Sequence, residues 1–182
     1  MKFWFTSDYH FGHENIIEYC NRPFKDVEEM NNTIIENHNS RVSPEDTVFF
    51  LGDFCFHNGP SGKEGEGTQT KSQSYLDKLN GKMIMIKGNH DKNNTVRTCI
   101  NNMVISLGGN KMFLVHNPKD YNKNYKINLV GHVHEKWKIK KINDVILVNV
   151  GVDVWDFRPI EIQDILNEIN KFESSNNKHK GL

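Results

Sequence analysis

The sequence predicts a layered α/β fold, and two patterns support that prediction. Short runs of β-branched and aromatic residues recur along the chain, and such runs are typical of buried strands. Other segments carry apolar residues at the spacing of an amphipathic helix. Strands that alternate with helices are typical of α/β domains. At 182 residues the chain has the length of one domain.

Seven apolar runs are predicted to be strands. Most are rich in valine, isoleucine and phenylalanine, and several are followed at once by polar or turn residues. The predicted strands are residues 2–6, 47–51, 83–87, 103–107, 111–115, 127–130 and 145–148.

Two helices are predicted from apolar spacing and capping residues. Asp26 is the expected N-cap of the first helix, with Glu29 three residues later as in a capping box. Pro159 helps to start the second helix. The apolar faces are Val27, Met30, Ile34 and His38 in the first helix, and Ile162, Ile165, Leu166 and Ile169 in the second. Because it lies on this apolar face, His38 is expected to be a core histidine.

Charge and hydropathy limit the partners of the chain. The 23 basic residues equal the 23 acidic residues, so the net charge attracts neither long nucleic acid nor membrane. The start MKFWFTSDYH lacks the apolar stretch of a signal peptide, and no later run could cross a bilayer. We therefore expect a cytoplasmic protein. Its oligomeric state is not predicted.

The predicted domain covers residues 1–172 and contains one long polar loop. Residues 57–74 include several glycines and almost no apolar residues, so they cannot pack as core. This loop is either a lid over a substrate or an unstructured insertion. Residues 173–182, which include His179, are expected to form a flexible tail. Cys20, Cys55 and Cys99 form no CxxC pair, which indicates reduced thiols.

Polar residues that can bind metals follow five of the predicted strands. Asp8 and His10 follow the first run and are two residues apart, so in an extended chain both side chains point the same way. His132 and His134 repeat this spacing after a later run. Asp53, Asn89 and His116 follow three other runs. Each segment alone could be an ordinary turn, but strand ends in an α/β sheet lie side by side. The coincidence predicts one metal site.

These segments resemble the motifs of the calcineurin-like metallophosphoesterase family. The family pattern is DxH, GD, GNHD or GNHE, a lone histidine and GHxH, and this sequence has DYH, GD, GNHD, His116 and GHVH in that order. The start TSDYHFGHENII, the following NRPF and the closing GVDVWDFRP are similar to a group of small bacterial and phage phosphoesterases. The resemblance implies a four-layer αββα sandwich of two mixed sheets flanked by helices.

The resemblance also implies a dinuclear metal centre in which one carboxylate is shared. Carboxylate, amide and imidazole ligands suit Mn²⁺, Fe or Zn²⁺ better than Ca²⁺. Mn²⁺ is favoured, with Fe, Zn²⁺, Ni²⁺ and Mg²⁺ as candidates. Such a centre attracts phosphate and supplies a metal-bound hydroxide for attack on a phosphate ester. The implied ligands are Asp8, His10, Asp53 and His134 for one ion, and Asp53, Asn89, His116 and His132 for the other.

Two residues beside the ligand Asn89 are candidates for catalysis. The family resemblance implies that His90 assists the leaving oxygen, and we expect it to act as a general acid. Asp91 either orients His90 or caps a helix that begins near Lys92.

Several weaker assignments stay open. His13 either contacts substrate or is a surface histidine, and Arg22 either binds a phosphate or forms a structural ion pair. Trp137 and Trp155 either stack on a base or belong to the core. The basic segment 136–141 either contacts nucleic acid or is an edge strand protected by lysines, and the edge strand is preferred. His57 opens the polar loop without an assigned role.

The complete motif set predicts a hydrolase of phosphate esters. Phosphodiesters, nucleotide-like or cyclic, are favoured because a small domain leaves the metals open to a second ester arm. A phosphomonoesterase is the alternative. A partner-binding scaffold with the same fold is a third hypothesis, although a scaffold would be expected to lose ligands or His90. A single structural zinc is disfavoured because such sites close with about four ligands.

Overall fold

Two mixed β-sheets form the centre of the structure, a computed structural model that describes residues 1–56, 67, 70–91 and 97–178. The first sheet has four strands in the order β3-β2-β1-β9. Its central pairs are parallel, and β9 joins β1 in the antiparallel direction. These strands are β1 (Phe3–Thr6), β2 (Thr47–Phe50), β3 (Lys82–Met85) and β9 (Ile160–Glu161).

The second sheet has five strands in the order β4-β5-β6-β8-β7. The inner pairs β5-β6 and β6-β8 are parallel, whereas both edge strands are antiparallel to their neighbours. These strands are β4 (Asn102–Leu107), β5 (Asn110–Val115), β6 (Ile127–Val130), β7 (Ile139–Ile142) and β8 (Val145–Asn149).

The main core lies between the two sheets. Successive side chains of each strand point alternately into this core and away from it. Phe49 and Leu51 point into this core, and Leu114 meets them from the second sheet. The neighbouring Phe50 and Phe113 point outward into separate clusters on the outer faces. This period of two is the expected behaviour of strands buried on both faces.

Helices cover the outside of the first sheet and one side of the sandwich. Asp26 caps the helix that packs on the outer cluster, where it accepts a hydrogen bond from the Glu29 N–H at 2.8 Å, as predicted. The Glu29 carboxylate binds the N–H of Lys25 rather than that of the cap residue. The helices are α1 (Asn15–Tyr19), α2 (Val27–Arg41), α3 (Ser72–Leu76) and α4 (Ile162–Lys178).

Helix α4 closes the side of the sandwich formed by β9, β1, β7 and β8. Its residues Ile165 and Ile169 belong to the core between the sheets. The helix is longer than its predicted apolar face, because it continues to Lys178 within the segment assigned to a flexible tail. The remaining tail residues, 179–182, lie outside the described residues, as does His179.

The outer face of the second sheet is covered by a loop that Asn128 holds in place. Asn128 is fully buried in β6, and its side chain bonds to the backbone of Asn122 and Tyr125. Trp137 packs into the same outer cluster. Trp155 packs against the main core and donates its Nε1–H to the Asn149 carbonyl at 2.7 Å. Both tryptophans are half-buried and packed, which agrees with the preferred core interpretation.

The sequence predicted seven of the nine strands found in the described residues, with shifts of one or two residues at their ends. The edge strand β7 overlaps the lysine-rich segment 136–141, so the preferred interpretation of that segment is confirmed. The two-residue β9 was not predicted, since so short a strand has no periodicity to detect.

Other predictions concern residues that the structure describes only in part. Most of the polar loop, residues 57–66, 68 and 69 with His57, lies outside the described residues, while Ser72–Ser74 begin α3. The lid and the domain boundaries stay predictions. Cys20, Cys55 and Cys99 are free thiols. Among the described residues, no helix has both the length and the apolar character needed to cross a membrane.

Candidate metal centre

The carboxyl ends of parallel strands from both sheets meet at one edge of the sandwich. Asp8, Asp53 and Asn89 follow β1, β2 and β3, while His116 and His132 follow β5 and β6. The backbone N–H of His132 donates to both carboxylate oxygens of Asp8, at 3.1 and 3.0 Å, and so connects the two sheets. The predicted convergence of the strand ends is observed.

The loops at this edge have an unusual backbone. Nine non-glycine residues in the described part of the chain have a positive φ, and five of them are predicted ligands. Such conformations cost about 1–3 kcal/mol each and concentrate at functional sites. The extended chain assumed for the two i, i+2 pairs is therefore wrong, because these side chains converge through left-handed turns. The five residues are Asp8, His10, Asp53, His132 and His134.

Two glycines allow the loops after β2 and β3 to touch. A Cβ at Gly52 would lie 2.6 Å from the backbone of Gly88 and 2.7 Å from Nδ1 of His116, and its φ is +89°. A Cβ at Gly88 would overlap the carboxylate and backbone of Asp53. Only glycine fits at both positions, which explains why a glycine precedes Asp53 and Asn89.

One group of potential ligands consists of Asp8, His10 and His134. Their ligand atoms all lie within 4.8 Å of one another. Both ring nitrogens of His10 are buried and have no hydrogen-bond partner in the described part of the chain. Leaving a buried polar atom unpaired costs about 1–3 kcal/mol. The ring is therefore arranged for a ligand that the described residues do not supply.

A second group consists of Asp53, His116 and His132, again within 4.8 Å of one another. Asn89 joins it, because its Oδ1 lies 3.0 Å from Nε2 of His116 and 2.7 Å from Nδ1 of His132. The Nδ1–H of His116 donates to the Leu51 carbonyl at 2.6 Å, which turns Nε2 toward the centre. This arrangement is typical of metal-binding histidines.

Asp53 lies between the two groups. Its Oδ2 is 3.2 Å from Nε2 of His116 in one group and 3.7 Å from Nε2 of His10 in the other. Its Oδ1 accepts the backbone N–H of His90 at 2.8 Å. A carboxylate in this position is compatible with the shared role that the family resemblance implies, and the role stays a prediction.

His134 is held by a buried chain of charges that the sequence analysis missed. The Nδ1–H of His134 donates to Oδ2 of Asp153 at 3.1 Å, which leaves Nε2 for the centre. Asp153 is bound in turn by Nε and Nη2 of Arg22, at 2.8 and 3.0 Å. Asp153 follows β8, so the strand-end rule that found the other ligands could have found it as well.

Arg22 forms a structural ion pair, the second of its two proposed roles. Besides Asp153, its guanidinium donates to the carbonyl oxygens of Asp8 and Tyr9, at 2.8 and 3.0 Å, and to the sulfur of Met30. The side chain is buried and all five N–H groups have acceptors. None remains for a phosphate, so the prediction of substrate binding by Arg22 is corrected. Arg22 instead connects the loop of Asp8 to the support of His134.

Asp91 binds three backbone amides rather than His90. Its Oδ2 accepts the N–H groups of Asp53 and Gly88 at 2.8 Å, and its Oδ1 accepts that of Phe54 at 3.1 Å. No hydrogen bond joins Asp91 to His90 in the described residues. The alternative role as a helix cap concerns residues 92–96, which lie outside the described part. Asp91 therefore fixes the loops that carry Asp53 and Asn89.

His90 and His13 belong to a row of rings beside the centre. The ring of His90 is exposed, with its centroid 5.4 Å from that of His10. Phe56 lies between the two candidates, 5.2 Å from His90 and 4.4 Å from His13. His13 is buried against Phe56 instead of lying on the surface. These positions are compatible with the predicted roles at a bound substrate, and the roles stay predictions.

The carboxylates of the centre favour the positively charged form of two of its histidines. Burial lowers the pKa of His116, but the hydrogen bond to Asp53 and the nearby carboxylates more than offset it and raise the pKa to about 9. The same balance, dominated on the raising side by Asp153, brings the pKa of His134 to about 10. His10 lacks such a partner, so burial holds its pKa well below 6.5 and leaves a neutral ring.

The residues present fit a pair of divalent cations. Neutral imidazole and ionised carboxylate are the forms that bind metals, and the donor set of oxygen and nitrogen suits Mn²⁺, Fe or Zn²⁺. The unpaired nitrogens of His10, the shared Asp53 and the support of His116 and His134 are each expected of such a centre.

This fold and site define a class of protein, the metal-dependent phosphoesterases. The model of the calcineurin-like phosphoesterase superfamily domain matches residues 1–158, and the chain belongs to that family. The resemblance found in the sequence is thereby confirmed, together with the sandwich of two mixed sheets and helices.

Several relatives cover nearly the whole chain. The uncharacterized protein MJ1445 of Methanocaldococcus jannaschii is 35% identical over 178 residues, covering 93% of this chain and 92% of the relative. The gene 66 protein of Mycobacterium phage L5 is 26% identical over 207 residues, covering 93% and 96%. The crystal structure of AQ665, a protein of unknown function from Aquifex aeolicus, matches with a TM-score of 0.68 and 25% identity, covering 91% and 98%.

Proposed function

We propose that the chain hydrolyses phosphodiesters with a dinuclear centre, for which Mn²⁺ is the favoured metal. The observation that carries the proposal is the position of Asp53, whose Oδ2 faces one ligand group at 3.2 Å and the other at 3.7 Å. When bound there, two divalent ions would provide a hydroxide nucleophile at neutral pH and polarise the phosphoryl oxygens.

The chain itself contributes orientation and a proton donor. Arg22 and Asp153 orient His134, and the Leu51 carbonyl orients His116. Asp91 fixes the loops that carry Asp53 and Asn89. His90 is the only ring of the GNHD segment, and it is exposed beside His10, where it can reach a leaving oxygen. We assign it the role of general acid, which typically contributes about 10²- to 10⁴-fold to the rate.

A cavity beside the centre favours diesters over monoesters. It has a volume of about 270 Å³ and adjoins the ligands Asn89 and His116. A monoester has one ester arm, whereas a diester needs room for two, and a cavity next to two candidate ligands supports the proposal of a second arm. Its remaining lining is Lys87, Gly88, Asn101, Val115, Asn117 and Asp120.

The proposal is tested with the metal-stripped protein, bis-p-nitrophenyl phosphate and p-nitrophenyl phosphate, with Mn²⁺, Mg²⁺, Zn²⁺, Fe²⁺ or Ni²⁺ added back. We expect metal-dependent turnover with a preference for the diester. Preference for the monoester would indicate a phosphatase. Stoichiometric metal binding without turnover of either ester, or of methyl p-nitrophenyl phosphate, would favour the scaffold hypothesis.

The role of His90 has a separate test, the variant His90→Gln. A general acid matters most when the leaving group is poor, and p-nitrophenolate leaves without protonation. We therefore expect the variant to lose about 10²-fold or more on an alkyl diester and much less on a p-nitrophenyl ester. Equal losses on both substrates would assign His90 to binding instead.

A further inference from the structure

An exposed aromatic ring lies beside the candidate metal centre. Tyr19, the last residue of α1, is 65% exposed. In the described residues the other exposed large apolar side chains are Met1, at 79%, and Val104, at 40%. A tyrosine ring offers a broad apolar surface and is a common contact residue when it faces solvent.

The ring of Tyr19 is connected to the centre through His13. The centroids of Tyr19 and His13 are 6.1 Å apart at an interplanar angle of 76°, which is an edge-to-face contact. The centroid of His13 lies 5.6 Å from that of the ligand candidate His10. A group bound on Tyr19 is therefore within the reach of one ester arm from a phosphate at the metals.

His13 is fixed in place and retains one polar atom. Its ring stacks on Phe56 at 4.4 Å with an interplanar angle of 21°, and only 5% of the residue is exposed. Its Nδ1 is buried and has no hydrogen-bond partner in the described part of the chain. His13, which contacts the exposed Tyr19 ring, is thus held in place by Phe56, and its Nδ1 is without a partner among the described residues.

The two flanks of the centre differ in chemistry. The cavity next to Asn89 and His116 is lined by the polar side chains of Lys87, Asn101, Asn117 and Asp120 together with Val115. The flank next to His10 presents the rings of His13, Phe56 and Tyr19. The second flank therefore offers a flat, aromatic group contacts with rings that are not candidate metal ligands.

We propose that Tyr19, supported by His13, is a stacking platform for the nucleobase of a nucleotide-type phosphate ester bound at the centre. The inference rests on the proposed function, because the metals must hold the phosphate. Stacking of a base on an aromatic side chain strengthens binding by roughly 5- to 150-fold. Since Tyr19 lies on the surface, we expect an increment of about tenfold.

The test measures equilibrium binding by calorimetry to the full chain loaded with Mn²⁺. Adenosine 5′-monophosphate and ribose 5-phosphate share the sugar phosphate and differ by the base. We expect the first to bind about tenfold more tightly. Tyr19→Phe should keep this ratio, whereas Tyr19→Leu, which keeps apolar area but loses the ring, should reduce it to less than about twofold.

The outcomes separate this inference from the proposed function because binding does not require turnover. A base preference that Tyr19→Leu abolishes supports the platform even if no ester is hydrolysed. Equal binding of both compounds to the wild type overturns the platform even if the esters are hydrolysed. A ratio that survives in Tyr19→Leu but disappears in Asn101→Ala also overturns it, since the base then lies in the polar cavity.

Discussion

Two buried histidines in this domain, His38 and His10, have opposite hydrogen bonding. His38 is 0% exposed, its Nε2–H donates to the Asn80 carbonyl, and its Nδ1 accepts from the Tyr9 hydroxyl, both at 2.8 Å. His10 is 1% exposed, and neither nitrogen has a partner in the described residues. Burial alone therefore does not distinguish these two histidines, but their hydrogen bonding does.

The same contrast separates the two ends of the parallel strands in the first sheet. We call the end where these strands begin the amino edge and the end where they finish the carboxyl edge. At the amino edge, Asp46 accepts the backbone N–H groups of Lys2 and Ser43 and the Nε1–H of Trp4. At the carboxyl edge, Asp53 has one such bond, and its other oxygen faces two histidines. The amino edge thus stabilises the fold, whereas the carboxyl edge keeps its polar atoms available for binding.

The largest expected effect is the difference between Asp53→Asn and Asp46→Asn, which are the same chemical change at opposite edges. Loss of the shared ligand should remove several kcal/mol of transition-state stabilisation, or about 10³-fold in kcat/KM for the diester. The change at Asp46 should leave kcat/KM within about twofold, as for a residue remote from the site. Steady-state kinetics and metal content by mass spectrometry provide the measurement. Comparable losses in both variants would remove the distinction between the edges.

A smaller effect is expected from Asp153→Asn, which weakens the support of His134. Outer partners of metal ligands typically contribute about 10- to 100-fold to metal affinity, and we expect a loss of Mn²⁺ affinity in that range. Asp164→Asn is the matched control, because Asp164 pairs with Arg41 at 3.1 Å near the surface. Calorimetric titration of both metal-stripped variants measures the affinities, with circular dichroism to verify folding. Unchanged affinity in Asp153→Asn would assign the Arg22–Asp153 pair to stability alone.

The sequence predicted the candidate ligands better than the Arg22–Asp153 pair that holds His134. Each ligand follows an apolar run, and strand ends meet wherever a parallel sheet forms, so Asp53 and His116 could be placed without coordinates. Asp153 also follows a strand, but its pairing with Arg22, 131 residues away, depends on tertiary packing and could not be predicted. The left-handed backbone of Asp8 and His10 is equally hidden, because neither is a glycine.

In the fold as well, the features set by neighbouring residues could be predicted, whereas those set by contacts between distant segments could not. Hydrophobic periodicity located α2 and seven strands, and the capping role of Asp26 followed from residue type. The pairing of β9 with β1 and the packing of α4 across one side of both sheets depend on contacts between distant segments. No local pattern records such contacts.

A third prediction compares His38→Gln with His10→Gln in the metal-free protein. The first variant breaks a buried hydrogen bond to either Tyr9 or Asn80, so we expect it to lower the free energy of unfolding by about 1–3 kcal/mol. The second breaks no hydrogen bond and should cost less stability, yet it should weaken Mn²⁺ binding while His38→Gln does not. Urea denaturation and metal titration of both proteins test the pair. The contrast would be refuted if His10→Gln were the less stable protein with unchanged metal affinity.

The smallest expected effect concerns the pH dependence that Asp46 gives to stability. The hydrogen bond from Trp4, with those from the Lys2 and Ser43 backbone, lowers the pKa of Asp46 from 3.8 to about 2. A carboxyl group with a lowered folded-state pKa stabilises the protein above its unfolded pKa, and this contribution is lost as the pH falls through the folded value. The stability difference between the wild type and Asp46→Asn should therefore shrink between pH 5 and about pH 2. Urea denaturation of both metal-free proteins measures that difference. A constant difference over this range would mean that these hydrogen bonds do not favour the ionised carboxylate, and the amino edge would then lack the role assigned to it.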